Sequence, residues 1–308
     1  MCVYCVCVCI VLCVCIVLCV CIVPVMCMYL CMCRMALHGF EDFPEISQTD
    51  CFSYLLRSAH SCLFQICRNP RKQIESEVIS AAAKFFHAFY LKESLKDFDP
   101  RTVLITCVNL AAKTEEYHSV SLSDIVHALP DGAKLKARVP AIEMKLLAAL
   151  NYDLVVEQPW LVMMFWTEQL RIQLETDQTH TDTHLKIYDI ACGIMHSWQW
   201  TEAVIKFPFP KLATAAVLKA TINYTNLHQN ASPEYQQTLF PNQRLRKVFQ
   251  EYIPGVDTEE LLVSVEKIAN KFGAFEKLVK DPTVESALGF RKLVEIIGSP
   301  VPKVESRK

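Results

Sequence analysis

From Asp50 onward, apolar residues recur at every third or fourth position, and no long stretch alternates apolar with polar. That period gathers side chains on one face of an α-helix, whereas a half-buried strand needs a period of two. The chain is therefore constrained to an all-α fold. Only seven of its 308 residues are glycine, which fits helices better than a sandwich or barrel.

Local punctuation divides the pattern into elements. Phe52, Leu55, Leu56, Ala59, Leu63 and Ile66 line one face of a helix predicted over 50–67, which Asn69-Pro70 stops. A second helix, about 75–92, is apolar at Val78, Ile79, Ala82, Phe85, Phe86 and Phe89, coverage wide enough for a buried helix. Asp99-Pro100 starts a third, with Asp as N-cap and Pro at the first helical position. It runs to about 116; a short fourth covers 121–129, closed by Pro130, and a fifth covers about 140–151. After a linker, a second set is predicted over 160–175, 184–200, 210–226, 233–240 and 242–252. The expected organisation is two consecutive five-helix units, 45–153 and 154–254, then C-terminal helices within 255–297 and a flexible tail, 298–308.

The first 34 residues stand apart. Residues 1–33 carry no charge and hold eleven of the sixteen cysteines, and Cys-Val-Cys-Ile-Val-Leu occupies 7–12 and 13–18 and nearly recurs at 19–24. Length and apolarity meet the requirement for a transmembrane helix, with Arg34 as its flanking charge. Alternating Cys and Val is also what a TGTG DNA repeat encodes, and Met35 offers a second start. The translated-repeat reading is preferred to the membrane anchor, and 1–34 is set aside from the fold. The five remaining cysteines, Cys51, Cys62, Cys67, Cys107 and Cys192, read as reduced, intracellular small hydrophobes.

No catalytic constellation emerges. The 31 Lys+Arg against 33 Asp+Glu argue against a nucleic-acid footprint over the whole chain. No phosphate-cradling glycine loop and no paired cysteines suited to zinc occur in the body. His180 and His184, with Asp182 between them, read as a solvated loop rather than a metal site. Asn223-Tyr-Thr225 and Asn230-Ala-Ser232 match the glycosylation pattern, as such triplets often do by chance, and Ser299-Pro300 reads as an ordinary loop dipeptide. Trp198 and Trp200 are expected in core packing or at a helix end. The expectation is no metal, no cofactor and no active site, and a binding role instead.

Several stretches carry a resemblance. Residues 79–91, ending Phe89-Tyr-Leu91, then Asp99-Pro-Arg101 with Leu110-Ala-Ala-Lys-Thr-Glu-Glu116, resemble helices two and three of a cyclin box. Leu150-Asn-Tyr-Asp-Leu154 with Gln158-Pro-Trp160 resembles the bridge into the second box of cyclin H. Phe207-Pro-Phe-Pro-Lys211 resembles the start of that second box's third helix. The resemblance spans roughly 45–272, is more specific in its first half, and points to the transcription-type cyclins, cyclin H most of all.

It implies a regulatory subunit, itself no enzyme, that binds and activates the catalytic subunit of a cyclin-dependent kinase. In that family a lysine and a glutamate grip the kinase near its mobile αC helix; here they match Lys113 and Glu143. Leu110, Leu147, Leu150 and Tyr152 match the apolar positions that pack beside them. Leu147 lies four residues after Glu143, on one helix face. The implied mechanism is allosteric: docking onto αC selects the arrangement in which the kinase's Lys–Glu ion pair is assembled. The resemblance also implies a nuclear role in RNA polymerase II transcription and the cell cycle, with TFIIH and a third assembly subunit as further partners, and neither direct nucleic acid nor membrane contact.

Three departures accompany it. Ala88 stands where cyclins often carry arginine, Pro140 falls where the fifth helix normally continues, and no long N-terminal helix is evident before Asp50. Another transcription cyclin, of Mediator or elongation type, remains an alternative. A TFIIB-like factor shares the fold but calls for a basic face and usually a zinc ribbon.

Overall fold

The computed structural model describes residues 74–174 except 128 and 130, and 182–227 except 201 and 202; it also describes the single positions 54, 55, 58, 59, 62, 63, 66, 263, 264 and 267. Among these residues the secondary structure is entirely helical. The helices are α1 (Ser76–Tyr90), α2 (Pro100–Thr114), α3 (Leu122–His127), α4 (Gly132–Ala149), α5 (Pro159–Leu174), α6 (Thr183–Trp198), α7 (Ala203–Lys206) and α8 (Phe209–Leu227). The leader, the helices expected at 233–240 and 242–252, and the tail lie outside the described residues. Of the C-terminal helices only positions 263, 264 and 267 are described, all helical.

The described chain divides into two compact units. One holds the residues up to Val156 together with Gln199–Lys206; the other holds Glu157–Trp198 and the residues from Phe207 onward.

In the first unit α2 is central, packing against α1, α3 and α4. Its start follows local chemistry. Asp99 Oδ1 accepts the Arg101 amide at 3.1 Å, and Pro100 occupies the first turn, where a missing N–H costs nothing. Helix α1 is buried at eleven of its fifteen residues, as its apolar coverage implied. The described positions 54, 55, 58, 59, 62, 63 and 66 of the expected first helix are all helical and buried. Helix α3 is capped reciprocally: Ser121 Oγ accepts the Asp124 amide at 3.3 Å, and Asp124 Oδ2 accepts the Ser121 amide at 2.9 Å.

Helix α4 corrects the sequence expectation. It begins at Gly132 rather than near Pro140, and it carries Pro140 inside. A proline there removes one backbone hydrogen bond and crowds the preceding turn. Opposing that cost, Leu135, Val139, Leu146 and Ala149 are buried and Ile142 packs on the core, so the stripe runs unbroken through the proline. Pro140 itself lies on the exposed side. Gly132 permits the entry: a Cβ there would sit 2.2 Å from the Val126 carbonyl oxygen.

The second unit packs α8 against α5 and α6, and α5 against α6. Trp166, 1% exposed, donates its indole N–H to Thr214 Oγ1 at 3.0 Å, tying α5 to α8.

The short α7 was absent from the sequence expectation. Its segment joins the first unit, where buried Trp200 meets Phe86 edge-on and Ser80 donates to Gln199 Oε1 at 3.0 Å. Trp198 and Trp200 are both buried, the first closing α6.

Candidate functional site

Lys113 and Glu143 meet on the surface of the first unit. Lys113 lies in the last turn of α2 and Glu143 in the middle of α4, and Lys113 Nζ donates to Glu143 Oε1 at 2.5 Å. The side chains are 56% and 21% exposed. Such an exposed pair contributes about 0–1 kcal/mol to stability, so the fold does not depend on it. One ammonium proton is used and two remain for a partner's acceptors.

The helix ends beside the pair share one device. At the end of α2 the Tyr117 amide donates to Ala112 O at 2.8 Å and the Glu116 amide to Lys113 O at 3.4 Å, with Glu116 left-handed at φ 54°. At the end of α4 the Tyr152 amide donates to Leu147 O at 3.0 Å and the Asn151 amide to Ala148 O at 3.1 Å. Both are complete Schellman closures, here without glycine. Asn151 and Tyr152 are both left-handed, at φ 53° and 60°. Asparagine tolerates that conformation, whereas for tyrosine it costs roughly 1–2 kcal/mol.

The apolar residues expected beside the pair separate by burial. Leu110 and Leu150 are 4% and 9% exposed and belong to the hydrophobic core. Leu147 is half-buried, one turn beyond Glu143, and Tyr152 is 67% exposed. Sequence reasoning missed Met144 and Val155, which are 62% and 78% exposed. Val155 had a signal: along 153–158, Leu154 and Val156 pack on the core while Asp153, Val155 and Glu157 face outward, a short run of period two. The arrangement offers a charged pair flanked by apolar side chains, which suits a docking surface in which burial supplies affinity and charge fixes register.

The first unit also holds a fully buried histidine. His87 on α1 has no hydrogen-bond partner at either ring nitrogen; the Trp200 backbone approaches without meeting that geometry. Burial pulls its pKa down to about 4, an effect the Trp200 backbone partly offsets. It is neutral at pH 7 and packs edge-on with Phe86. Among the described residues, no group of three His, Cys, Asp or Glu is placed to hold a metal ion, and no helix is long and apolar enough to cross a membrane.

Residues 46–155 match the cyclin N-terminal domain, a stretch that contains the Lys113–Glu143 pair and both of its helices. That stretch of the chain is thus similar to the cyclin family. Cyclin-H of Xenopus laevis is 29% identical over 101 residues, 32% of this chain and 31% of the relative. Cyclin-C1-1 of rice (Oryza sativa subsp. japonica) is 29% identical over 157 residues, 49% of this chain and 56% of the relative. The chain thus spans about a third to about half the length of those curated relatives. A chain in the ATP-gamma-S-bound CAK complex of Chaetomium thermophilum superposes with a TM-score of 0.60 at 16% identity, covering 88% of this chain and 80% of that one. A chain in the yeast TFIIK complex gives a TM-score of 0.53, also at 16% identity, covering 78% and 92%. At that identity the likeness is one of fold.

Proposed function

We propose that this chain is a cyclin, the regulatory subunit of a cyclin-dependent protein kinase of the CDK-activating, TFIIH-associated type. In this reading it binds and activates that kinase in RNA polymerase II transcription and in cell-cycle control, within the nucleus, and has no active site of its own. The observation that carries the reading is the Lys113–Glu143 pair. Thirty residues apart in sequence, the two side chains stand together at the surface of the domain that matches the family. The resemblance assigns those positions to the kinase contact, with Leu147 and Tyr152 beside them and Leu110 and Leu150 supporting from the core. The pair would orient the kinase αC helix, the apolar residues would bury against it, and the αC glutamate would be held toward its lysine partner. The activation is then a population shift set by differential binding. TFIIH and a third assembly subunit are the further partners, and the fold likeness to chains of the CAK and TFIIK complexes supports them.

A transcription cyclin of another type is a second reading. It is favoured by the cyclin-C relative from rice, whose match covers 49% of this chain against 32% for the frog cyclin-H match.

The test mixes the purified full chain with the purified catalytic subunit of the TFIIH kinase and, separately, with other transcription-kinase subunits. Binding and phosphorylation of a polymerase C-terminal-domain peptide are read beside a Lys113→Ala/Glu143→Ala double variant. The expected result is activation of the TFIIH kinase, lost in a double variant that melts like the parent. Activation of a different kinase selects the second reading, and activation of none overturns both.

A further inference from the structure

Beyond α4 the chain packs Leu154 and Val156 on the core and leaves Tyr152 and Val155 outside it. Two consecutive left-handed residues, Asn151 and Tyr152, are followed by an extended run in which Tyr152 and Val155 point outward. Backbone outliers of this kind need surrounding structure to hold them. Two lysines supply it, Lys84 of α1 and Lys92 in the turn just past its end. Lys92 Nζ donates to Asn151 Oδ1 at 2.9 Å, and Lys84 Nζ donates to the Val155 carbonyl oxygen at 3.1 Å. Lys92 meets the start of the segment and Lys84 its end, so 151–155 runs opposite in direction to α1 and is held at both ends. It continues the site along α4, because the Tyr152 amide is bonded to Leu147, one turn beyond Glu143. Large apolar side chains held outward by a strained, twice-tethered segment gain nothing in the free chain, but they match what an interface buries.

We propose that Lys84 and Lys92 are positioning residues that clasp 151–155 against α1, and that Val155 is a further contact with the kinase subunit beside Tyr152. This rests on the function proposed above, with the kinase catalytic subunit as the occupant.

The experiment measures the affinity of the purified full chain for that subunit, together with melting temperatures. Val155→Asp should weaken binding about tenfold or more, since a charge replaces a buried apolar contact. Lys92→Met should weaken it about fivefold, Lys92→Arg should restore most of the loss, and in a Tyr152→Ala background Lys92→Met should matter less than about twofold. Lys84→Met should behave likewise with Val155→Ala as its background. Melting temperatures should stay near the parent's. Parental binding by Val155→Asp overturns the contact. A Lys92→Met loss of equal size in the Tyr152→Ala background, or one that tracks a lowered melting temperature, overturns the positioning role. Failure of the parent chain to bind overturns the proposed function instead.

Discussion

Ser80 and Gln199 are hydrogen-bonded at 3.0 Å across 119 residues of sequence, both fully buried. The bond docks a segment flanked by second-unit sequence into the core of the first unit, where Trp200 is 4% exposed. Truncating Trp200→Ala should cost about 3–5 kcal/mol, as a cavity opens beside Phe86. Ser80→Ala, which deprives Gln199 Oε1 of this donor, should cost about 1–3 kcal/mol. Urea denaturation measures both, and hydrogen exchange should localise the loosening to α1. An exchange pattern unchanged in α1 would contradict the docking.

His87 sets a pH dependence whose sign follows from its burial. Its folded pKa is about 4, against an ordinary 6.5. As pH falls through that window the unfolded chain takes up a proton there and the folded chain does not, so the free energy of unfolding falls with falling pH. The loss should reach about 3 kcal/mol by pH 4, and the contribution should be level above pH 7. His87→Met, which keeps the site apolar, should remove that part of the slope. Urea titrations at pH 7, 5.5 and 4.5 compare the two, and parallel curves would refute the assignment.

The two described glycines should respond to alanine with opposite signs. At Gly132 the added Cβ meets Val126 backbone atoms at 2.2 and 3.0 Å, so α3 and α4 must separate, at a cost of about 1–3 kcal/mol. At Gly193, inside α6, nothing lies within 4 Å of the new Cβ. Gly193→Ala should stabilise by about 0.5–1 kcal/mol through reduced freedom of the unfolded chain. Thermal melts of the two variants decide.

The Lys113–Glu143 pair should be nearly silent for folding. Either residue changed to alanine should shift stability by less than about 1 kcal/mol. A larger loss on denaturation would make the pair a structural element of the first unit and weaken its reading as a docking feature.

What was legible in the sequence was local. Asp99-Pro100 announced α2 because capping chemistry acts over two or three residues. Phe85, Phe86 and Phe89 announced a buried α1 because periodicity alone determines which face is apolar. Lys113 and Glu143 were singled out through a resemblance in their flanking residues.

Only tertiary structure decided the rest. Helix α4 crosses Pro140 because core burial on both sides outweighs one missing hydrogen bond, a balance no local window contains. Leu110 and Leu150 fall in the core, whereas left-handed backbone at 151 and 152 redirects the chain after α4 and Tyr152 and Val155 stay outside. The docking of 199–206 on α1 brings together residues more than a hundred positions apart, and no periodicity encodes such a meeting. Sequence by itself determined which segments coil and which face of each is apolar, since those follow from short-range sterics and spacing. Packing determined where the helices begin, which leucines are core, and what stands beside Lys113 and Glu143, since those depend on surfaces that exist only once the helices have met.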